Sequence, residues 1–293
     1  MSLSVRLENL AKTIRTTRNW PTVLTSALLN RPFVAAFRMG TSLRIESGES
    51  QAYFVVRDLI FESLRERAPR IRLSQHAGNR VIEIGRCKFI LTKEFGQLGA
   101  SSIMQFLELF QENLLGYEVI DAGAYVGDTA IFFASRGARV YAYEPIPELF
   151  SMMVKNIALN GMEASISPMN CAVGESRFTR IYVNRAEGYL GSSMFIKPTE
   201  SWVDVRSVNL EEAFANCHRG TRKILKLDCE GCEFAIITMR NLALLKQFDQ
   251  VVGEYHSDLT SINVQALTGP LESAGFQVSL RGNAMRGLLV ANK

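Results

Sequence analysis

The 293-residue sequence predicts an α/β protein, a Rossmann-like doubly wound sheet that ends in an antiparallel hairpin and is preceded by a smaller α+β region. Three observations predict it. From about residue 100 onward, short apolar strands alternate with helices, which implies a parallel sheet covered on both faces. The strand Glu118–Ala122 runs through a loop with two glycines straight into a helix. The last two strand-like runs, Phe276–Leu280 and Gly287–Ala291, lie too close for a crossover helix and must pair antiparallel. With 47% hydrophobic and 21% charged residues, there is ample material for a buried core.

The elements follow in order. Val5, Leu7, Leu10, Ala11 and Ile14 recur at helical spacing, so Val5–Ile14 is an amphipathic helix. Phe33–Ile45 reads as two short strands around Met39-Gly40-Thr41, Ala52–Arg67 as a helix, and Val81–Leu91 as a hairpin turning at Gly85-Arg86. This accessory region occupies residues 1–100, and residues 101–293 form the domain that carries the chemistry. There, helices are expected at Ser102–Leu115, Gly127–Arg136, Pro147–Asn160, Leu210–Ala215, Glu233–Leu245 and Val264–Ala274. Strands are expected at Glu118–Ala122, Arg139–Tyr143, Ile166–Val173, Ile224–Leu227 and Val251–Tyr255, with strand-like pieces at Ile181–Val183 and Ser193–Ile196 in the long polar insertion Gly174–Arg206.

Charge and cysteine usage narrow the function classes. The net charge of +4 does not point to nucleic acid. Residues 1–40 hold six basic residues against Glu8 alone, a net of +5, so the excess sits entirely in this segment. It reads as a solvated helix face, or as a dock for an anionic surface. No secretory signal is visible, and the apolar stretch Val23–Phe37 is too short and too interrupted to span a bilayer. Five scattered cysteines read as reduced thiols of a cytoplasmic protein. Cys229 and Cys232 have C-x-x-C spacing, but no second ligand pair accompanies them, so they read as packing residues and no metal site is expected.

The informative block is Val119-Ile-Asp-Ala-Gly-Ala-Tyr-Val-Gly-Asp-Thr129. Gly123 and Gly127 let the backbone turn sharply and approach a ligand. Such loops lie at the carboxyl ends of strands, where open α/β sheets bind ligands. Glu144 follows at the end of the next strand, where an acid can accept hydrogen bonds from both hydroxyls of a ribose. Together these fit an adenosine-containing cofactor. Tyr125 stands where a dinucleotide fingerprint needs a second glycine for the pyrophosphate. Asp121 and Asp128 would repel a diphosphate but suit an ammonium and a sulfonium. The cofactor expected is therefore S-adenosylmethionine, and the terminal hairpin is the usual layout of class I methyltransferases. Its expected contacts are Asp121, Gly123, Ala124, Tyr125, Gly127, Asp128, Thr129, Glu144, Pro145, Asn170, Cys171, Ala172 and Asp228.

The sequence resembles the FkbM family of methyltransferases. The resemblance rests on Asp121-Ala-Gly-Ala-Tyr-Val-Gly-Asp-Thr129, Val140-Tyr-Ala-Tyr-Glu-Pro145, Asn156 to Asn160, Lys226-Leu-Asp-Cys-Glu-Gly-Cys-Glu233 and Val252-Gly-Glu-Tyr-His256, and covers roughly residues 115–292. It implies O-methylation of a hydroxyl on a sugar, glycan or related metabolite. One departure is Tyr125, where the family usually has Asn.

Methyl transfer to a hydroxyl needs a group to take the proton. Asp228, Glu230 and His256 are the candidates, placed after the fourth strand and at the end of the fifth. Glu230 and Glu233 could instead favour the start of the following helix by their charge. The acceptor pocket is expected between the segments after Asp228 and Tyr255, roofed by the insertion with Tyr182, Tyr189, Phe195 and Trp202, and by part of the first hundred residues. Two alternatives stand beside this reading. An NAD(P)-dependent nucleotide-sugar oxidoreductase would want a Tyr-x-x-x-Lys pair, which Tyr125 to Thr129 and Tyr189 to Ser193 fail to supply. The other is a non-catalytic cofactor-binding module.

Overall fold

Period-two apolar runs become strands and period-3.6 runs become helices largely in the order the sequence lays down. The computed structural model describes residues 3–62, 64, 71–91, 109, 113–175, 177–183, 192–193 and 201–293. The chain divides into two compact units, Met1–Phe110 and Gln111–Lys293. Of the expected helix Ser102–Leu115, Leu109 is described and helical and Asn113–Leu115 are described and not helical; its other residues, Tyr189, and positions 194–196 of the expected strand piece Ser193–Ile196, Phe195 among them, lie outside the described residues.

In the first unit, α1 (Leu3–Thr16) is followed by α2 (Trp20–Leu28), an antiparallel pair β1 (Phe33–Ala36) and β2 (Ser42–Ile45), and α3 (Ser50–Glu62). A three-stranded meander follows, β3 (Ile71–His76), β4 (Asn79–Ile84) and β5 (Cys87–Ile90). Neither α2 nor β3 was expected. In β3 only Ile71 is buried, so its sequence carries no alternating signal. Arg57 ties α3 to α1. Its buried guanidinium reaches the Asn9 carbonyl, the Asn9 side chain at 2.7 Å and the Thr13 hydroxyl at 3.1 Å, and is neutralised by Asp58 at 2.6 Å. Several basic residues of the first forty are used locally: Lys12 pairs with Glu8 at 3.0 Å, and Arg38 donates to the Ile14 carbonyl at 3.0 Å.

The second unit is built on a seven-stranded sheet. Its strands are β6 (Tyr117–Ala122), β7 (Arg139–Tyr143), β8 (Ile166–Met169), β12 (Arg222–Leu227), β13 (Gln250–His256), β14 (Gln277–Gly282) and β15 (Arg286–Asn292). Their spatial order is β14-β15-β13-β12-β6-β7-β8, parallel throughout except for β15, which runs antiparallel to both neighbours. This is the doubly wound class I methyltransferase layout with its closing hairpin. Helices α4 (Asp128–Ser135) and α5 (Pro147–Leu159) connect the first strands, and α6 (Leu210–Phe214) precedes β12. The α6 start is a capping box, in which Asn209 and Glu212 bond each other's backbone N–H.

Two elements differ from expectation. The strand expected over Ile166–Val173 is split into β8 and β9 (Ala172–Val173), and β9 leaves the main sheet to pair with β11 (Trp202–Val208), which also pairs with β10 (Phe178–Tyr182). The break is at Asn170, whose amide donates to the carbonyls of Glu144 at 2.9 Å and Pro145 at 3.0 Å. The helix expected over Glu233–Leu245 is three short pieces: α7 (Glu233–Ile236), a 3-10 turn (Met239–Asn241) and α8 (Leu242–Leu245). The β-branched run Ile236-Ile237-Thr238 disfavours helix, Thr238 is extended, and the Asn241 amide caps the Ile236 carbonyl at 2.8 Å. Two more helices, α9 (Ser257–Thr260) and α10 (Gln265–Ser273), lead to the hairpin.

Candidate active site

The sheet order reverses between β6 and β12, and ligands of open α/β sheets bind at such a switch point. Asp121 and Lys226 are register partners on these two strands. Both are fully buried, with Lys226 Nζ 2.9 Å from Asp121 Oδ1. Thr129 Oγ1 donates to Asp121 Oδ2 at 2.7 Å, and Lys226 Nζ donates to the Gly123 carbonyl at 2.7 Å. Asp121 and Thr129 thus lie beneath the loop and fix its position. The sequence carries one signal for the Lys226 pairing, a lone lysine inside the apolar strand Ile224–Leu227.

Gly123 has φ +79°, and a Cβ there would stand 1.8 Å from the Asp228 carbonyl oxygen, so the loops after β6 and β12 meet at this residue. The Gly123 and Ala124 N–H groups both donate to the Tyr143 carbonyl. Tyr125 has φ +51°, a left-handed backbone that asparagine adopts more readily. Its N–H is held by Glu144 Oε2 at 2.9 Å, while Glu144 Oε1 accepts from the Ile146 N–H at 2.8 Å. Each oxygen keeps a second lone pair for a ligand. Burial pushes Glu144 up to about 8 and Asp128, in the first turn of α4, up to about 7. Cys171 and Ala172 are buried, and Asn170, exposed just after β8, bonds the turn that carries Glu144 and Pro145.

Beyond β12 and β13 a second group assembles. Glu254 and His256 are two residues apart on β13 and so share a face, and ligand atoms of Asp228, Glu254 and His256 lie within 4.8 Å of one another. Glu233 holds the buried His256, accepting its backbone N–H at 2.7 Å and lying 3.1 Å from Nδ1. Nε2 faces Glu230 at 3.6 Å and Glu254 at 3.8 Å. Burial opposes the imidazolium, but the Glu233 hydrogen bond and the charges of Glu230 and Asp228 outweigh it and push His256 up to about 9. The charge of Asp228, then burial, pushes Glu254 up to about 7. Glu254 was not singled out from sequence. The insertion reaches this group through Ser193, whose hydroxyl donates to the Glu230 carbonyl at 2.7 Å.

Cys229 and Cys232 are joined by a disulfide, with Cα atoms 5.4 Å apart. This corrects the expectation of five reduced thiols and a packing role alone. Glu230 at φ +54° and Gly231 at φ +111° fold the chain back so that the two sulfurs meet. Cys171 and Cys217 are free thiols.

The residues present fit S-adenosylmethionine. Asp121, Asp128, Asp228 and Glu144 share Lys226 as a nearby cation, so the loop carries an excess of carboxyl groups that an ammonium and a sulfonium would offset. The raised carboxyls also set a pH dependence. Asp128 and Glu144 keep their protons to higher pH folded than unfolded, so folding takes up protons from about pH 4 to about pH 8. Stability should fall as pH rises through that window, by up to about 1.4 kcal/mol per pH unit for each group titrating. Thermal midpoints measured between pH 5 and 8 should decline; midpoints that climb would contradict the buried carboxyls.

A family model described as the methyltransferase FkbM domain matches residues 121–278, just over half of the chain. No curated protein matches the chain. Among solved structures, the N-terminal domain of human METTL16 in complex with SAH is 12% identical, with 97% of this chain and 94% of that chain covered and a TM-score of 0.41. Precorrin-6y C5,15-methyltransferase from Geobacter metallireducens GS-15 is 13% identical, with 68% and 88% covered and a TM-score of 0.37. The fold assignment rests on the sheet order and the family match rather than on these overlaps.

Proposed function

This chain belongs to the FkbM methyltransferase family and is an S-adenosylmethionine-dependent methyltransferase, and from that premise we propose that its acceptor is a hydroxyl of a sugar, glycan or related small metabolite. The observation that carries the reading is the carboxylate and imidazole group at the carboxyl ends of β12 and β13, beside the switch-point loop. A hydroxyl, unlike an amine, loses its only proton as it is methylated, and this group can take it.

When bound, S-adenosylmethionine supplies a methyl carbon made electrophilic by its sulfonium. The chain's own residues do the rest. Glu144, pinned by two backbone N–H groups, orients the ribose, and the Gly123–Gly127 loop seats the amino-acid end. The carboxylate of Glu230 would accept the proton that the acceptor hydroxyl gives up. The His256 ring, held by Glu233, faces Glu230 at 3.6 Å and helps keep it in place. Asp228 faces the cofactor cation. Positioning of this kind is worth up to about 7–11 kcal/mol in ideal cases.

Family membership removes the oxidoreductase alternative, and two measurements test the non-catalytic module. Calorimetry should give micromolar binding of S-adenosylhomocysteine and far weaker binding of NAD. Labelled S-adenosylmethionine incubated with a panel of glycans and hydroxylated metabolites should then transfer label to oxygen. Label found only on nitrogen, or on nucleic acid, would overturn the hydroxyl reading. A cytoplasmic location and a peripheral contact of residues 1–40 with an anionic surface belong to the same proposal. Among the described residues no helix is long and apolar enough to cross a membrane.

A further inference from the structure

On the acceptor side of the site, Asp228 leaves β12 beside Glu254 and His256 of β13, and one oxygen of each acid and a ring nitrogen lie within 4.8 Å of one another. We propose that Asp228, Glu254 and His256 bind a divalent first-row transition-metal cation, which holds an acceptor carrying two adjacent oxygens.

His256 is the strongest pointer. Its side chain is 3% exposed, and its Nδ1 is taken by the buried carboxylate of Glu233 at 3.1 Å. A metal-ligating imidazole is generally set this way, one ring N–H given to a carboxylate and the other nitrogen turned to the ion. Nε2 is turned into the carboxylate group, with Glu230 at 3.6 Å and Glu254 at 3.8 Å. Both are too long for hydrogen bonds, and no hydrogen bond reaches Nε2 among the described residues. A cation would occupy the place that the second ring proton otherwise holds.

The geometry and the charge agree. Ligands about 2.1 Å from a metal stand about 3 Å apart in neighbouring positions, so atoms now within 4.8 Å of one another need to close by at most about 2 Å. Among the described residues, the nearby cations Lys226 and Arg286 are each ion-paired to another carboxylate, Asp121 at 2.9 Å and Asp258 at 2.6 Å. An imidazole with two carboxylates suits Mn²⁺, Fe²⁺ or Zn²⁺ better than Mg²⁺ or Ca²⁺. Three protein ligands leave open positions, which two vicinal acceptor oxygens can fill. The ion would lower the pKa of the bound hydroxyl, while Glu230, not a ligand, stays available for its proton. The acceptor part of this inference rests on the proposed hydroxyl reading; the metal site does not.

The test uses Mn²⁺ alone as probe, with the full chain in non-reducing buffer so that Cys229 and Cys232 stay bonded and cannot act as thiolate ligands. Calorimetry and the paramagnetic signal of free Mn²⁺ should show one ion per chain, bound more tightly than Mg²⁺. Asp228→Asn and Glu254→Gln should each weaken binding at least tenfold, and Glu233→Gln, which frees the ring, by about 10–100-fold. Circular dichroism of each variant separates lost binding from lost folding. No Mn²⁺ binding by the wild-type chain, or binding that survives all three substitutions in folded protein, overturns the site. S-adenosylhomocysteine binding on the same preparation keeps the two readings apart: its loss with Mn²⁺ retained sinks the methyltransferase mechanism and leaves the metal site standing.

Discussion

Replacing Lys226 with Met should destabilise the chain by about 3–5 kcal/mol, the range seen when one partner of a buried ion pair is removed. Met preserves the length and apolar stem of the side chain and deletes only the ammonium. Asp121, fully buried, would lose the cation at 2.9 Å and keep only the Thr129 hydroxyl at 2.7 Å. Asp128 and Asp228 would lose the same charge. The Gly123 carbonyl would lose its donor, so the cofactor loop would loosen as the fold weakened. Urea unfolding of the two proteins measures the difference. The double variant Lys226→Met with Asp121→Asn should recover part of the loss, because it leaves no unpaired buried charge. A loss under about 1 kcal/mol for Lys226→Met alone would show that the pair does not anchor the loop.

The second large effect falls on cofactor affinity. Glu144→Ala should weaken S-adenosylhomocysteine binding at least tenfold, since two hydrogen bonds to the ribose hydroxyls at about 0.5–1.5 kcal/mol each are lost. It should also cost stability, because the Tyr125 and Ile146 N–H groups lose the carboxylate that accepts them at 2.9 and 2.8 Å. Glu144→Gln tells these apart. Its amide oxygen can still accept one backbone N–H, so it should hold more of the loop than Ala. Removing Glu144, whose carboxyl is pushed up to about 8, should also flatten the fall of stability between pH 5 and 8. Calorimetry on all three proteins decides it; unchanged affinity in a folded Glu144→Ala protein would place the ribose elsewhere.

Several parts of the fold and site were legible from the chain because their signals are local. The alternation that gives β6, α4, β7 and α5 lies in consecutive residues, and Gly123 and Gly127 sit in the turn they make possible, with φ +79° and +84°. The closing hairpin followed from the short distance between its strands. Signals failed where the local pattern was ambiguous. Glu233–Leu245 has helical spacing, yet its β-branched middle and the Asn241 cap break it. Strand β3 exposes most of its side chains and left no alternation to read.

By itself, the sequence determined the alternation of strands and helices from β6 to α5, the switch-point loop and the acid that ends the second strand of the catalytic sheet, because hydrophobic period and turn residues act over a few positions. The tertiary structure alone decided what each charge faces. Sheet order sets Lys226 beside Asp121 and Glu254 beside Asp228, and carries His256 onto Glu233 across 23 residues of chain. It also showed that Cys229 and Cys232 close on each other, a result of two consecutive residues with positive φ that no composition reveals. Partners far apart in sequence are chosen by strand pairing and burial, and in a buried setting a charge takes its role from the groups that neutralise it.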